Sequence, residues 1–250
     1  MTSNRPSMAP PALISEASFL RVLPSRSLLS ATTPSSVRAS KMGAFEEMAE
    51  SRLGILILAA GEARRFGACK QLAHFLKKPL LQHVVDAALP LPHKRLIIVT
   101  GRYDAEIKRA ADTGLFIGAE LVYNPDWQAG MSSAIRLGCE LLATDCDQLL
   151  VLLSDQILVS TEELSTLINS TDSTGMACSG FRNTVGPPAV FGRSYYPDLL
   201  SLDAENGAKQ LLTNNNHQVC VIPMQSAGWD IDSPDDLEKL EDVGSYIFGN

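Results

Sequence analysis

The stretch LGILILAAGEARRFGACK, Leu53–Lys70, joins an apolar run to a basic loop that contains two glycines. The apolar part, Leu53–Ala60, shows no polar alternation, which is typical of a strand covered on both faces of a sheet. Open α/β sheets bind ligands at the carboxyl ends of their strands, and phosphate-binding loops are found there. The stretch therefore predicts a buried parallel strand that ends at a site for an anionic ligand.

The loop differs from two common phosphate-binding motifs. Five residues separate Gly61 from Gly67, and Lys70 follows three positions later. A P-loop has four residues between its glycines and a lysine directly after the second, and a dinucleotide-binding loop has three closely spaced glycines. We therefore expect this loop to bind phosphate in another way.

Charge is distributed unevenly along the chain. The 250 residues carry a formal net charge of -7, which disfavours general binding to nucleic acid or to an acidic membrane. Between Gly61 and Lys78, however, there are five basic residues and one acid, Glu62. A basic segment in an acidic protein suits a small anionic ligand, although a solvated loop can have the same composition. The basic residues are Arg64, Arg65, Lys70, Lys77 and Lys78.

The cysteines, histidines and apolar runs indicate an ordinary intracellular enzyme. The five cysteines are odd in number and form no CxxC pair, which is typical of reduced thiols. The four histidines lack metal-ligand spacing. No apolar run reaches 18 residues, so no membrane span is expected. These features favour a cytoplasmic location.

Residues 1–50 differ in composition from the rest of the chain. They are rich in Ser, Pro and Ala, lack sustained periodicity and are predicted to be disordered. One interpretation is an organelle transit peptide, because up to Phe45 the segment carries five basic residues against one acid, Glu16. The other is an extension without a folding role, because MAESRLGILILAAG from Met48 would be a compact start. Residues 51–250 are predicted to form a single domain.

From Arg52 onward the chain alternates apolar strand runs with amphipathic helices. This order predicts a doubly wound, mostly parallel α/β sheet with helices on both faces. After about Met176 the rhythm changes, and GMACSGF, PPAVF and VCVIPM are interpreted as further strands of the same domain. The earlier strands are predicted over Leu53–Ala60, Lys94–Gly101, Ala119–Asn124 and Gln148–Asp155, the last being central because it is the most hydrophobic. The helices are predicted over Pro79–Leu91, Asp104–Asp112 and Gly130–Ala143, and a capping box at Ser160 and Glu163 starts another.

Three segments fall at the carboxyl ends of predicted strands, where the ligand is expected. They are the Gly61–Lys70 loop, NPDWQAGMSS (Asn124–Ser133) and Asp155. A carboxylate that ends an apolar strand can bind Mg2+, although an aspartate there can equally cap a helix or turn. Because all three segments converge on one edge of the sheet, we predict a single site.

A second acidic cluster lies in GWDIDSPDDLEKL. The run Ser233–Asp236 has the pattern of a helix start, with Ser233 as the cap. That interpretation leaves Asp230 and Asp232 unexplained. The two aspartates alternate about the apolar Ile231, which is compatible with a short strand.

Six segments in order resemble one family. LAAGEARRFGACK is similar to the LAAGxSxRxGxxK loop of the MobA-like nucleotidyltransferases, and it most resembles that of the molybdenum cofactor cytidylyltransferases. NPDWQAGMSSAIRLG, SDQ, GPPAVF, ENGAKQLL and DIDSPDDLEKL resemble the later segments NPxWxxGMxxSxxxG, DQP, GxPxxF, GDxGARxLL and DIDTPEDLxxL. The resemblance covers nearly everything from Leu53 to Leu240, and it implies a Rossmann-like nucleotidyltransferase fold.

The resemblance also implies a site for a nucleoside triphosphate, with CTP favoured. Arg65 and Lys70 would clamp the triphosphate, and Asp155 and Asp232 would jointly hold Mg2+. Lys70 is expected to be exposed when no ligand is bound. The implied catalytic residues are Arg65, Lys70 and Asp155, and the implied nucleotide-binding residues are Leu58, Ala59, Ala60, Gly61, Arg65 and Lys70.

The acceptor implied by the resemblance is the phosphate of molybdenum-bearing molybdopterin, and pyrophosphate would be released. A terminal phosphate is already largely ionised at neutral pH, so no general base is expected. A downstream molybdoenzyme or its chaperone would be a further partner. The implied acceptor residues are Asn124, Gly130, Ser132, Ser133, Gly186 and Pro188.

Several departures from the family pattern leave the acceptor open. Ala63 replaces a loop serine, Ile157 replaces the proline of DQP, and Ala134 stands where a serine is common. Glu205 and Lys209 keep the charges of the family's Asp and Arg but change their reach. The alternatives are a guanylyltransferase for the same cofactor, a non-catalytic cofactor-binding relative and a sugar-phosphate nucleotidyltransferase.

Overall fold

The computed structural model describes residues 52–203, 208–214, 219–229 and 231–247. The predicted disordered or targeting segment 1–50 lies outside these ranges, as do Glu205 and Asp230. Within them, no helix has the length and apolar character needed to cross a membrane.

Nine strands and seven α-helices can be assigned in the described ranges. The strands are β1 (Leu53–Ala59), β2 (His74–Phe75), β3 (Lys78–Pro79), β4 (Arg95–Thr100), β5 (Glu120–Tyr123), β6 (Gln148–Leu153), β7 (Met176–Phe181), β8 (Thr184–Gly192) and β9 (Val219–Pro223). The helices are α1 (Leu80–Ala88), α2 (Asp104–Asp112), α3 (Met131–Leu142), α4 (Thr161–Asn169), α5 (Tyr196–Leu200), α6 (Ala208–Asn214) and α7 (Pro234–Ile247).

Seven of the strands form one mixed sheet in the order β5-β4-β1-β6-β8-β7-β9. β1 pairs in parallel with β4 and β6, and β5 is parallel to β4. β8 runs antiparallel to both of its neighbours, whereas β9 is parallel to β7. The predicted central position of the most hydrophobic strand is confirmed, because β6 is the fourth strand of the seven.

Different helices cover the two faces of the sheet. Side chains alternate along a strand, so successive residues of β1 enter two separate cores. Ile55 and Ile57 pack in one core with apolar residues of α1 and α4. Leu56 and Leu58 pack in the other with apolar residues of α3 and α5. The predicted doubly wound, mostly parallel α/β fold is confirmed.

Candidate active site

A cavity of about 590 Å3 opens where the carboxyl ends of β1 and β6 meet. Its walls come from the loop after β1, the start of α3 and the turn after β6. Small-molecule sites typically enclose roughly 300–1,000 Å3, so the cavity can hold a ligand of nucleotide size. Seven of the predicted site residues line it: Leu58, Ala60, Gly61, Lys70, Gly130, Asp155 and Asp232.

The loop after β1 is shaped by a tight turn. The backbone amides of Phe66 and Gly67 both donate to the carbonyl oxygen of Ala63, at 2.9 and 3.1 Å. Gly67 has a φ of 72°, a left-handed conformation that glycine adopts without strain. Gly61 faces open space, because a Cβ built there would have no heavy atom within 4 Å. The loop thus leaves room for a ligand beside Gly61.

Lys70 lies between two carboxylates from distant parts of the chain. Its Nζ is 2.6 Å from Asp155 Oδ2 and 3.6 Å from Asp232 Oδ1. Asp155 Oδ2 and Asp232 Oδ1 therefore lie near each other, because both lie close to the same Nζ atom. The side chains of Lys70 and Asp155 are only 12% and 14% exposed. The expectation of an exposed Lys70 is therefore wrong, because its ammonium is drawn into an ion pair with Asp155.

Arg65 approaches the same cluster from solvent. Its Nη1 lies 3.1 Å from Asp232 Oδ2, and its side chain is 78% exposed. Arg64 instead pairs with Glu62 at 2.6 Å, and both of these residues line the cavity. The loop thus provides Arg65 and Lys70, which pair with the two aspartates, and Arg64, which lines the cavity.

Asp155 lies in the turn after β6, and only one of its two carboxylate oxygens has a hydrogen-bond partner. Lys70 donates to Oδ2, whereas Oδ1 is buried and has no hydrogen-bond partner. Mg2+ is commonly held by one or two carboxylates together with substrate phosphates and water. In the part of the chain that the structure describes, no three His, Cys, Asp or Glu side chains are grouped to hold a metal. Asp155 and Asp232 are thus two carboxylates available to a divalent cation, which would need its other ligands from elsewhere.

The Asn124–Ser133 segment is held together by its own polar side chains. Asn124 Nδ2 donates to Ser133 Oγ at 2.8 Å. The Ser133 hydroxyl lies 2.9 and 2.7 Å from the carbonyl oxygens of Asp126 and Gly130, to which it can donate. Asn124 and Ser133 are buried, and their contacts fix the backbone that presents Gly130 to the cavity.

Gly186 and Pro188 lie near the start of β8, next to the turn after β6. The Ser179 hydroxyl is 2.8 Å from the carbonyl oxygens of both Gly186 and Pro187. Gln156 Nε2 donates to the same Pro187 carbonyl at 2.8 Å, which ties β8 to the turn. Among the described residues, the predicted site residues that do not line the cavity are Ala59, Arg65, Asn124, Ser132, Ser133, Gly186 and Pro188.

Comparison with known proteins identifies the family. Residues 55–219, more than half of the chain, match the MobA-like NTP transferase domain. The chain belongs to the MobA-like NTP transferase family. The resemblance expected from the six motifs is confirmed at this level, and the reaction class is nucleotidyl transfer.

Curated relatives that match this MobA-like chain are longer than the chain itself. The Bifunctional protein GlmU of Desulfotalea psychrophila is 27% identical over 148 residues, which make up 58% of this chain and 42% of that protein. The chain thus spans less than half the length of this relative.

Solved structures share the fold. The crystal structure of Rv0371c from Mycobacterium tuberculosis H37Rv has a TM-score of 0.68 at 23% identity, covering 77% of this chain and 98% of that chain. Its complex with manganese has a TM-score of 0.64 at 23% identity, covering 76% and 98%. Molybdopterin-guanine dinucleotide biosynthesis protein A from Archaeoglobus fulgidus has a TM-score of 0.59 at 18% identity, covering 77% and 99%.

Some cavity residues of the MobA-like domain were not among the predicted ones. Gln71 is buried, and its Nε2 donates to the Ala59 carbonyl oxygen at 3.1 Å, which holds the loop against β1. Trp127 packs so closely on Gly101 that a Cβ there would lie 2.6 Å from the Trp127 Cβ. The position of Gln71 directly after Lys70 was a usable signal, as was the aromatic residue in NPDWQAGMSS. The missed lining residues also include Ala134, Leu153 and Ser154, whereas Gln128 and Met131 belong to the predicted Asn124–Ser133 segment.

Proposed function

We propose that this chain transfers CMP from CTP onto the phosphate of a molybdopterin-type cofactor and releases pyrophosphate. The observation that carries the proposal is the cluster of Lys70, Asp155 and Asp232 on the wall of the cavity beside the glycine loop. Nucleotidyl transfer places negative charge on the α-phosphate and on the leaving pyrophosphate. Preorganised charged groups at those positions supply most of such catalysis.

The cavity offers a place for each part of the nucleotide. Leu58, Ala60 and Gly61 would contact the base and ribose, because they line the cavity and leave open space beside Gly61. Lys70 and Arg65 would bind triphosphate oxygens.

Asp155 and Asp232 would hold Mg2+ or Mn2+, because the buried Oδ1 of Asp155 has no protein partner. The bound cation would neutralise charge on the α-phosphate during attack. The manganese complex of Rv0371c supports a divalent cation in a relative with this fold.

The reaction requires positioning more than proton transfer. An oxygen of the acceptor phosphate would form a bond to the α-phosphorus, and the bond between that phosphorus and the bridging oxygen would break. Pyrophosphate leaves with the electron pair. Because the attacking phosphate is already ionised, the rate depends on holding it in line with the leaving group.

A second candidate is transfer of GMP from GTP to the same type of acceptor. It is favoured by the fold relative from Archaeoglobus fulgidus, whose name specifies a guanine dinucleotide. The loop sequence LAAG favours CTP, since guanylyltransferases of this type resemble LAGG at this position. The identity of the base is therefore the first property to measure.

Pyrophosphate release with purified molybdopterin cofactor tests the proposal, using CTP, GTP and ATP in separate reactions. CTP is expected to give the highest rate, and Asp155→Asn should abolish it. Asp86→Asn is a matched control, because Asp86 is a carboxylate of α1 that pairs with Lys78 away from the cavity. A preference for GTP would establish the second candidate. Turnover only when a sugar 1-phosphate replaces the molybdopterin cofactor as acceptor would overturn the proposal. The absence of turnover with every combination of triphosphate and acceptor would do the same.

A further inference from the structure

Lys70 lies where the proposed metal would have to bind. Its ammonium contacts Asp155 Oδ2 at 2.6 Å and Asp232 Oδ1 at 3.6 Å. A divalent cation shared by the same carboxylates needs ligand distances of about 2.1 Å, so it competes for these oxygens. An ammonium and a divalent ion held this close also repel each other. Lys70 and the metal therefore exclude each other at the two aspartates.

The cluster is balanced in charge without a metal. Asp155 and Asp232 carry two negative charges, and Lys70 and Arg65 supply two positive ones. A carboxylate as shielded from water as Asp155 is costly unless a cation compensates it. Arg65 reaches Asp232 from the solvent side, so it does not fill this role. Lys70 is thus the cation that neutralises Asp155.

We propose that Lys70 is a resident cation that leaves the two aspartates when metal and triphosphate bind. This inference rests on the proposed function, because it takes Asp155 and Asp232 as the metal ligands. The lysine side chain is a flexible four-carbon stem, and Lys70 lines the cavity. Its ammonium can therefore move from the carboxylates to the triphosphate. One residue stabilises the metal-free site and then binds the phosphates.

We call this replacement of Lys70 by the metal at the two aspartates the exchange. It couples the binding of metal to the binding of triphosphate. Metal alone must displace Lys70 from both aspartates with no phosphate present to receive its ammonium, and triphosphate alone must draw Lys70 away from Asp155. Each ligand therefore favours binding of the other, and couplings of this kind are typically about 5- to 150-fold. The buried Oδ1 of Asp155, which has no hydrogen-bond partner, is a further oxygen that the metal can bind once Lys70 has left Oδ2.

Mn2+ binding to the nucleotide-free protein tests the exchange, with free Mn2+ followed by electron paramagnetic resonance. Lys70→Met removes the competing ammonium and should tighten Mn2+ binding about tenfold relative to wild type. Arg64→Met is the matched control, because Arg64 lines the same cavity but pairs with Glu62. It should change the affinity by less than about twofold, as expected for a solvent-screened charge. Equal tightening in both variants, or none in Lys70→Met, would overturn the exchange.

A second measurement uses the wild-type protein, so it does not depend on the folding of Lys70→Met. Lysine acetylation followed by mass spectrometry reports how accessible Lys70 is, and its side chain is 12% exposed while it pairs with Asp155. Mn2+ without nucleotide should increase the acetylation of Lys70 several-fold. Lys78, which pairs with Asp86, should be modified at the same rate with and without Mn2+. An unchanged rate at Lys70 under saturating Mn2+ would contradict the exchange.

Asp155→Asn separates the exchange from the proposed function. If this variant loses Mn2+ binding while Lys70→Met shows no tightening, the exchange is wrong and the metal site stands. If Asp155→Asn binds Mn2+ as wild type does, the aspartates are not the ligands, and the proposed function loses its metal site.

Discussion

Cys69 and Cys220 differ in how far their thiols are removed from water. Burial raises the pKa of the Cys69 thiol to about 11, and its Sγ donates a weak hydrogen bond to Gln71 Oε1 at 3.5 Å. Cys220 lies exposed on β9. Because the thiolate is the reactive form, iodoacetamide at pH 8 should modify Cys220 well before Cys69. Peptide mapping after brief labelling checks this order, and equal labelling would show that the loop after β1 opens in solution.

Gly61 and Gly101 lie at the ends of adjacent strands but have different surroundings. A Cβ at Gly101 would lie 2.6 Å from both the Ala60 carbonyl oxygen and the Trp127 Cβ, whereas a Cβ at Gly61 would meet nothing within 4 Å. Gly101→Ala should therefore lower the free energy of unfolding by about 1–3 kcal/mol through overpacking. Gly61→Ala should keep the stability of wild type but raise KM for the nucleotide, because the methyl group enters the proposed nucleotide site.

Urea denaturation and steady-state kinetics on the two glycine variants separate these effects. The same loss of stability in both would show that the space beside Gly61 is not open in solution. An unchanged KM in Gly61→Ala would move the nucleotide away from this loop.

The start of α4 shows what a capping box contributes to an element. The Glu163 amide donates to Ser160 Oγ at 3.2 Å, and the Ser160 amide donates to Glu163 Oε2 at 2.9 Å. Ser160→Ala should lower the free energy of unfolding by about 1 kcal/mol, with nucleotidyl transfer unchanged because Ser160 does not line the cavity. Thr166→Ala in the same helix is the control and should cost less than about 0.5 kcal/mol. Equal losses in urea denaturation would exclude the cap as the cause.

Elements with strong periodic patterns could be predicted from the sequence, but their ends could not. The helix over Asp104–Asp112 has the predicted bounds. The strand predicted over Gln148–Asp155 ends at Leu153, because the backbone turns at the next two residues. Ile231 is buried, yet it is not in the short strand with which the alternation of Asp230 and Asp232 was compatible. Apolar spacing reports burial, and it does not reveal where the backbone leaves the sheet.

At the scale of the whole molecule, three elements build the candidate site. Lys70 follows the glycine loop, Asp155 follows β6, and Asp232 precedes α7. The sequence could place Lys70 and Asp155 at one edge of the sheet, because β1 and β6 were both recognisable as strands. It could not show that Lys70 is paired with Asp155 and nearly buried. That contact depends on how far the turn after β6 brings Asp155 toward the loop, which no local pattern encodes.

Asp155 and Asp232 should differ in their effects on stability, although both belong to one site. Asp155 pairs with Lys70 at 2.6 Å, and both side chains are largely shielded from water, so Asp155→Asn removes the close partner of a nearly buried ammonium. Asp232 is 52% exposed and lies 3.6 Å from the same ammonium, so Asp232→Asn leaves the closer pair intact. We expect the free energy of unfolding to fall by about 1–3 kcal/mol in Asp155→Asn and by less than about 1 kcal/mol in Asp232→Asn, in metal-free buffer.

The two substitutions should nevertheless have the same effect on turnover. If both carboxylates hold one cation, loss of either ligand disables the site, and the double variant should be little slower than either single variant. Pyrophosphate release measured for the wild type, the two single variants and the double variant gives the coupling between the positions. Multiplicative losses would mean that the aspartates act independently. In that case the close contact of both with Lys70 would be a structural ion-pair network, and the metal would have to be sought elsewhere in the cavity.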